Sequence, residues 1–137
     1  MSTLICYEAI FPDLVRRFVH GGAQVLVNIS NDGWYGSSAA RYQHLLMARM
    51  RAIENHRYLL RATNNGLTAV IRPNGQLAEQ IPPDRAGVLQ ASWSFQTEET
   101  FYSRYGDWFA WIACVVALLA LITRWAESHN ERAIGRA

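Results

Sequence analysis

The stretch LICYEAIFPD, residues 4–13, joins a short apolar run to the start of a helix, and the rest of the architecture can be read outward from it. The apolar run is typical of a buried strand, and Pro12 suits the first position of a helix that ends at Gly21-Gly22. Cys6 therefore stands at a strand-to-helix turn, where the helix N-terminus favours a thiolate. The pattern leaves two interpretations of Cys6 open: a small buried hydrophobe or a nucleophile.

Strands and helices alternate beyond this turn. A long helix is predicted from Ala39 to His56, and its apolar stripe is formed by Leu45, Leu46, Met50 and Ile53. The further predicted strands are QVLVNIS (24–30), RYLLRAT (57–63), LTAVIR (67–72), QLAEQI (76–81) and GVLQASW (87–93). This order predicts a layered α/β architecture with buried strands first and hairpins later. Two helices cannot cover both faces of such a sheet, which indicates a partial domain.

The segment WFAWIACVVALLALIT, residues 108–123, carries no charge and lies between Asp107 and Arg124. Extended to Trp125 it has nearly the length needed to cross a bilayer, and tryptophans stand at both of its ends, as in an aromatic belt. A buried core helix is the alternative. Counting the basic residues that follow the span places the tail in the cytoplasm and the N-terminal portion on the opposite side.

Composition excludes several classes of function. The net charge is only +2, and the arginines are dispersed along the chain, so the sequence has no basic cluster of the kind that binds nucleic acid. The two cysteines, Cys6 and Cys114, fall in different regions of the chain, so a disulfide between them is not expected. No metal-ligand spacing is present, and no cofactor is expected.

The loop SNDGWYG, residues 30–36, is the second candidate for function. Parallel neighbouring strands end at the same edge of a sheet, so this loop should lie beside Cys6. Its polar residues Asn31 and Asp32 can bond their own backbone. Trp34 and Tyr35 are suited to gate a hydrophobic pocket, and the alternative is that they anchor the loop to the core.

Two neighbours of Cys6 could support a reaction at its sulfur. The N–H of Tyr7 could donate to an anionic tetrahedral intermediate. Glu8 would raise the pKa of the thiol if it lay beside the sulfur, so we expect it to point elsewhere and to accept hydrogen bonds that hold the turn. An exposed acid at a helix start is the alternative. His44 and His56 lie on the long helix without partner spacing, and neither is predicted to act as a base.

Four motifs, in their order and spacing, resemble the C-terminal part of the apolipoprotein N-acyltransferases, a branch of the nitrilase (carbon–nitrogen hydrolase) superfamily. They are ICYEAIFPDLVRR (5–17), VNISNDGWYG (27–36), YQHLLMARMRAIENHRYLLRATNNG (42–66) and TFYSRYGDW (100–108), followed by the apolar segment. A cysteine followed by Tyr-Glu, a loop of SND and aromatics, and a terminal span separate this branch from soluble amidases.

The resemblance implies an α/β fold, the C-terminal half of a nitrilase-like αββα sandwich, followed by one C-terminal transmembrane helix. The catalytic half-domain would occupy residues 1–103, the linker and transmembrane helix residues 104–125, and a polar tail residues 126–137. The protein would lie in the bacterial inner membrane with its catalytic domain in the periplasm and its tail in the cytoplasm.

The resemblance also implies a reaction. Cys6 would take an acyl chain from a phospholipid as a thioester and pass it to the diacylglyceryl-cysteine at the N-terminus of a lipoprotein. Tyr7 would supply the oxyanion N–H, and Glu8 would be the supporting acid. The residues expected near the acyl-binding mouth are Trp34, Tyr35 and Asn31.

The family's triad also needs a glutamate and a lysine that precede the cysteine. This chain begins five residues before Cys6 and contains no lysine. We therefore expect little or no acyl transfer from the chain alone, as for a truncated, split or mis-started reading frame whose partner is the N-terminal half. A nitrilase-type amidase and a non-catalytic, membrane-anchored pseudoenzyme fragment are the two alternative interpretations.

Overall fold

The computed structural model describes residues 1–134, with only the backbone path for residues 126–134. The chain divides after Gly106 into two units. The first contains a five-stranded sheet in the order β1-β2-β3-β4-β5. Its strands are β1 (Ser2–Ile5), β2 (Leu26–Ser30), β3 (Leu59–Thr63), β4 (Thr68–Ile71) and β5 (Leu77–Ile81). The pairs β1–β2 and β2–β3 are parallel, whereas β3–β4 and β4–β5 are antiparallel, which confirms the predicted order of buried strands and hairpins.

Two helices connect the parallel strands. Helix α1 (Pro12–His20) has its proline in the first turn, where the missing N–H costs no hydrogen bond. Helix α2 (Ala40–Asn55) ends at His56, whose left-handed φ of 50° stops the helix. A short helix, α3 (Phe101–Tyr105), closes this unit and is capped by the Thr100 side chain.

One face of the sheet packs against α1 and α2 and forms the core. The largest apolar side chains from the strands are Leu4, Leu26, Leu59 and Ile71, and each is fully buried. They alternate with outward positions, as the period of a strand requires. The helices contribute mainly small or β-branched residues: Val15, Val19, Ala48 and Ala52.

Within residues 1–106, the opposite face of the sheet carries no helix. A groove of about 380 Å³ on this face is lined by strand residues such as Val27 and Leu60 together with part of segment 87–93. The prediction of a strand over GVLQASW was wrong, because this segment lies over the face of the sheet and forms no ladder with an edge strand. Val88 in this segment is 97% exposed.

The predicted apolar stripe on α2 was wrong for three of its four residues. Leu45 is buried, but Leu46, Met50 and Ile53 are exposed. The inward face instead combines small residues with polar ones: His44, Leu45, Ala48, Arg51, Ala52 and Asn55. The alanines let the helix approach the sheet closely, and the buried polar side chains find partners inside, so the apolar pattern alone misplaces this face.

The second unit contains helix α4 (Trp108–Ile134). Its window Trp108–Trp125 has 18 residues with a mean hydropathy of 1.9, and none of them is buried. By length and composition this helix suits a membrane span. The helical backbone continues into the predicted polar tail, and residues 135–137 of that tail lie outside the described residues.

Candidate active site

Cys6 lies where β1 ends and a 3-10 turn, Cys6–Ile10, begins. Its side chain is half-buried, and its φ of 49° falls in the left-handed region that residues other than glycine seldom adopt. Strained backbone of this kind persists only where the surrounding structure enforces it, and it clusters at active sites. The geometry therefore favours the nucleophile over an inert core cysteine.

Glu8 holds this turn. Its Oε2 accepts a hydrogen bond of 2.7 Å from the backbone N–H of Ile5, the residue before the cysteine. The predicted part of Glu8 in holding the turn is thus present in the structure. Tyr7 packs edge-on against Phe11 with ring centroids 5.9 Å apart, and its ring is half exposed.

The loop after β2 lies beside Cys6, as the parallel arrangement predicts. Ser30 Oγ is 3.5 Å from Cys6 Sγ. Asn31 Oδ1 accepts from the N–H of Gly33 at 3.1 Å and from the Asn64 amide at 2.6 Å, so this side chain ties the loop to the turn between β3 and β4.

The two aromatic residues of this loop differ. Trp34 is 86% exposed, so it does not anchor the loop to the core. Tyr35 does pack inward, with its ring edge-on to His44 at 5.8 Å. A cavity of about 80 Å³ is lined by Tyr7, Tyr35, Ala40, Gln43, His44 and Met47. Burial, together with the negative charges of Cys6 and Asp32, raises the pKa of Tyr35 above its ordinary value.

A buried polar network lies beneath Cys6. Its members are Asn28, Ser30, Asp32, His44 and Arg61, and none is more than 6% exposed. Arg61 Nη2 donates to Asp32 Oδ2 at 2.7 Å, and its Nη1 donates to Asn28 Oδ1. His44 Nδ1 is 3.1 Å from Asp32 Oδ1 and 3.1 Å from Arg61 Nη2, so either tautomer of the ring is bonded to a member of the network.

The Asp32 carboxylate is the centre of this network. Burial by itself would raise the pKa of Asp32, but hydrogen bonds from His44, Ser30 and Arg61 and the positive charge of Arg61 lower it to about 2. Gly66, in the turn after β3, lies so close that an added Cβ would be 2.0 Å from Asp32 Oδ2. The carboxylate is therefore ionised at neutral pH. It is fully buried between its hydrogen-bond partners and Gly66.

Sequence reasoning missed most of this network. The loop pattern predicted that Asp32 bonds its own backbone, and it gave His44 no role at the site. Neither Asn28 nor Arg61 was assigned to the site. A signal was present in β2, where Asn28 and Ser30 share the inward face with Leu26. Polar residues on the buried face of a strand need partners inside the protein.

Comparisons with known proteins identify the family of the chain. The sequence model of the carbon–nitrogen hydrolase family matches residues 1–101. This range includes Cys6, its turn and the whole buried network. This chain belongs to the carbon–nitrogen hydrolase family. Within the family it is similar to proteins named apolipoprotein N-acyltransferase. The one from Geobacter metallireducens is 46% identical over 134 residues, covering 96% of this chain and 26% of that protein.

Relatives of the same name occur in distant bacteria. The Pseudomonas aeruginosa protein is 39% identical over 136 residues and the Thermotoga maritima protein 33% identical over 132 residues. This carbon–nitrogen hydrolase chain covers 26% of the length of each of them. It thus spans about a quarter of the curated relatives it matches.

Solved structures support the fold of this carbon–nitrogen hydrolase chain. A carbon–nitrogen hydrolase from Helicobacter pylori superposes with a TM-score of 0.52 at 14% identity, over 61% of this chain and 36% of that one. Nit3 of Saccharomyces cerevisiae, a nitrilase-superfamily member, gives 0.50 at 22% identity over 59% and 32%. The predicted nitrilase-like α/β fold is therefore confirmed.

Proposed function

We propose that this chain is the nucleophile-bearing part of an apolipoprotein N-acyltransferase. The observation that carries the proposal is the position of Cys6: half-buried, in a left-handed conformation, between Glu8 and the polar network. The names of its relatives support acyl transfer as the reaction class.

The proposed reaction has two steps, each centred on the Cys6 sulfur. The Cys6 thiol gives up its proton and its sulfur attacks the ester carbonyl of a phospholipid; the S–C bond forms, the ester C–O bond breaks, and the lysophospholipid leaves as an alcohol that takes up the proton lost by the thiol. The α-amine of the lipoprotein's diacylglyceryl-cysteine then attacks the thioester, forming an amide and returning the thiol. Covalent catalysis of this kind divides one difficult transfer into two easier ones. The N–H of Tyr7 stabilises the oxyanion in both steps.

Exposed aromatic residues of the Cys6 turn and of the loop after β2 are proposed to contact the acyl chain of the substrate. Tyr7, which follows the nucleophile in the chain, is 50% exposed, and Trp34 is 86% exposed in the loop whose first residue, Ser30, lies 3.5 Å from the Cys6 sulfur. An acyl chain needs an apolar surface beside the reacting sulfur, and such rings offer large area with few rotatable bonds. Trp34, Tyr35 and Asn31 are the residues proposed to contact it.

Helix α4 is proposed to cross the bacterial inner membrane, with the tail in the cytoplasm and Cys6 on the periplasmic side. Both substrates of the proposed reaction are held in the membrane by their acyl chains, so a span keeps the sulfur beside them. The chain should remain in the membrane pellet after carbonate washing. A Leu118→Arg substitution, which places a charge near the middle of the apolar window, should release it.

The bare face of the sheet is proposed to receive the second sheet of an αββα sandwich, supplied by the N-terminal half of the enzyme. Strand residues Val27, Leu60 and Val70 offer an apolar surface there. That half would also carry the glutamate and lysine that the triad needs, because this chain contains no lysine. We therefore expect the chain alone to be inactive.

A chimera tests the proposal. This chain replaces the matching quarter of the Geobacter metallireducens relative, and membranes are incubated with a phospholipid whose acyl chain is labelled. A hydroxylamine-sensitive label on Cys6, absent from Cys6→Ser and retained in Cys114→Ser, is the expected result. A chimera that folds and inserts but never carries the label on Cys6 would refute acyl transfer. The chain alone, tested in parallel, should remain unlabelled.

A further inference from the structure

The side chain of Ser30 connects the Cys6 sulfur to a buried carboxylate. Its Oγ lies 2.6 Å from Asp32 Oδ1 and 3.5 Å from Cys6 Sγ. A hydroxyl has one proton, and a carboxylate can only accept. The shorter, charge-assisted contact takes that proton, so the serine oxygen faces the sulfur with a free lone pair and accepts the thiol's S–H.

While Cys6 is a thiol, the Ser30 hydroxyl stays on Asp32, whose position is fixed by other partners. Arg61 and His44 bind the same carboxylate from β3 and α2, and Gly66 closes it from the following turn. When the thiol loses its proton, Asp32 keeps these two other partners. The serine hydroxyl is then able to rotate and donate to the thiolate.

The same network also fixes the main chain around the nucleophile. The Asn28 amide donates to Leu4 O at 3.1 Å and to Cys6 O at 3.2 Å. Arg61 donates to the other end of that amide and so sets its orientation. One arginine therefore bonds both Asn28, which holds the Cys6 backbone, and Asp32, which holds the serine that faces the sulfur.

We propose that Ser30 is a positioning residue for Cys6: its hydroxyl orients the thiol and stabilises the thiolate, while Asp32, His44 and Arg61 fix Ser30. The inference rests on the proposed function of Cys6 as nucleophile, and it assigns that sulfur a partner within this chain. The charged or titratable groups around the sulfur are Glu8 and Tyr7 of its own turn, Asp32 and Tyr35 of the next loop, His44 of α2 and Arg61 of β3.

The rate of Cys6 alkylation as a function of pH tests the proposal in the full 137-residue chain in detergent micelles. Cys114→Ser removes the second thiol, and mass spectrometry follows iodoacetamide on the Cys6 peptide. Removing the hydroxyl should move the midpoint of the rate profile up by about one pH unit, because the thiolate loses a donor and faces the Asp32 charge. At a pH well below the midpoint this corresponds to a thiolate fraction about ten times smaller, and alkylation is slower for that reason.

Matched variants separate the hydroxyl from side-chain volume. Ser30→Thr and Ser30→Val have nearly the same shape, but only threonine keeps the hydroxyl. We expect the valine and alanine variants to shift the midpoint and the threonine variant to keep it. Ser38→Ala, whose hydroxyl bonds Tyr35 O at 2.6 Å and not the sulfur, should change nothing.

Equal midpoints for the threonine and valine variants, or no shift in the alanine variant, would overturn the proposal. Hydrogen exchange of the β2 amides checks that each variant is folded, and the threonine–valine comparison decides the outcome if the alanine variant is not. Alkylation needs no acyl donor, so a failure here is distinguishable from a failure to form the thioester.

Discussion

Replacing Arg61 by methionine should destabilise the sheet more than any other loss of a single charge in the described part of the chain. Methionine keeps most of the length and apolar stem of arginine, so packing changes little. The substitution removes the hydrogen bonds to Asp32 and Asn28 and the contact with His44. Asp32, which is 0% exposed, is then left as a buried carboxylate without its cation.

The expected loss is about 3–5 kcal/mol, the usual cost of removing one partner of a buried ion pair. That is a large share of the stability of a domain of this size, for which about 5–15 kcal/mol is typical. The control is Arg17→Met. Arg17 is paired with Asp13 at 2.5 Å, but the two side chains are 75% and 51% exposed, so its loss should cost about 1 kcal/mol or less.

Hydrogen exchange read by mass spectrometry measures the effect on peptides that cover β2 and β3, without interference from α4. A loss of 3 kcal/mol or more accelerates exchange through unfolding more than about a hundredfold. Adding Asp32→Asn to the Arg61→Met variant should recover part of the loss, because it removes the uncompensated charge. If Arg61→Met exchanges like Arg17→Met, the buried network does not hold the sheet and the reasoning fails.

Three further predictions use the same exchange measurement. Lowering the pH from about 4 to about 2 should cost about 2 kcal/mol through Asp32. Its pKa of about 2 in the folded protein lies below the ordinary aspartate value of 3.8, so this stabilisation is complete above the higher value and is lost as the pH falls through the lower one. Protection factors, corrected for intrinsic exchange, should fall over this pH range in the unmodified protein. In the Asp32→Asn variant they should not show this fall. Gly66→Ala should cost about 1–3 kcal/mol, since its Cβ would overlap the Asp32 carboxylate, whereas Gly87→Ala, which meets only a flexible side-chain end at 3.3 Å, should be nearly neutral. Glu8→Ala should accelerate exchange of the Ile5 amide about tenfold, and an unchanged amide would mean that the 2.7 Å bond does not hold the turn.

The position of Cys6 was predictable because it depends on local signals. An apolar run before it and Pro12 after it define the strand and the helix, and the structure places Cys6 between them. The approach of the SNDGWYG loop was predictable from topology, because parallel strands end together. Ser30 beside the sulfur confirms that prediction.

The network was not predictable in the same way, because its members come from separate parts of the chain. Asp32 and His44 are 12 residues apart, and Asp32 and Arg61 are 29 apart. Apolar periodicity assigns polar residues to the surface. It therefore predicted the wrong inward face for α2, and it gave no sign that the Arg61 side chain is buried. The strand predicted over segment 87–93 was wrong for a related reason. Its composition is typical of a strand, but the segment crosses the face of the sheet, where no ladder can form.

The inward face of β2 shows why the network and the nucleophile belong together. Leu26 packs into the core, but Asn28 and Ser30 on the same face bring polar groups into it. Valine or leucine at those positions would bury well and would need no partners, and buried ion pairs are often replaceable by apolar residues without loss of stability. What the polar residues contact is the Leu4 and Cys6 carbonyls and the Cys6 sulfur. A residue with a φ of 49° needs such support. The buried pair of Asp32 and Arg61 therefore serves to fix Ser30 and Asn28, which hold Cys6 in this strained conformation.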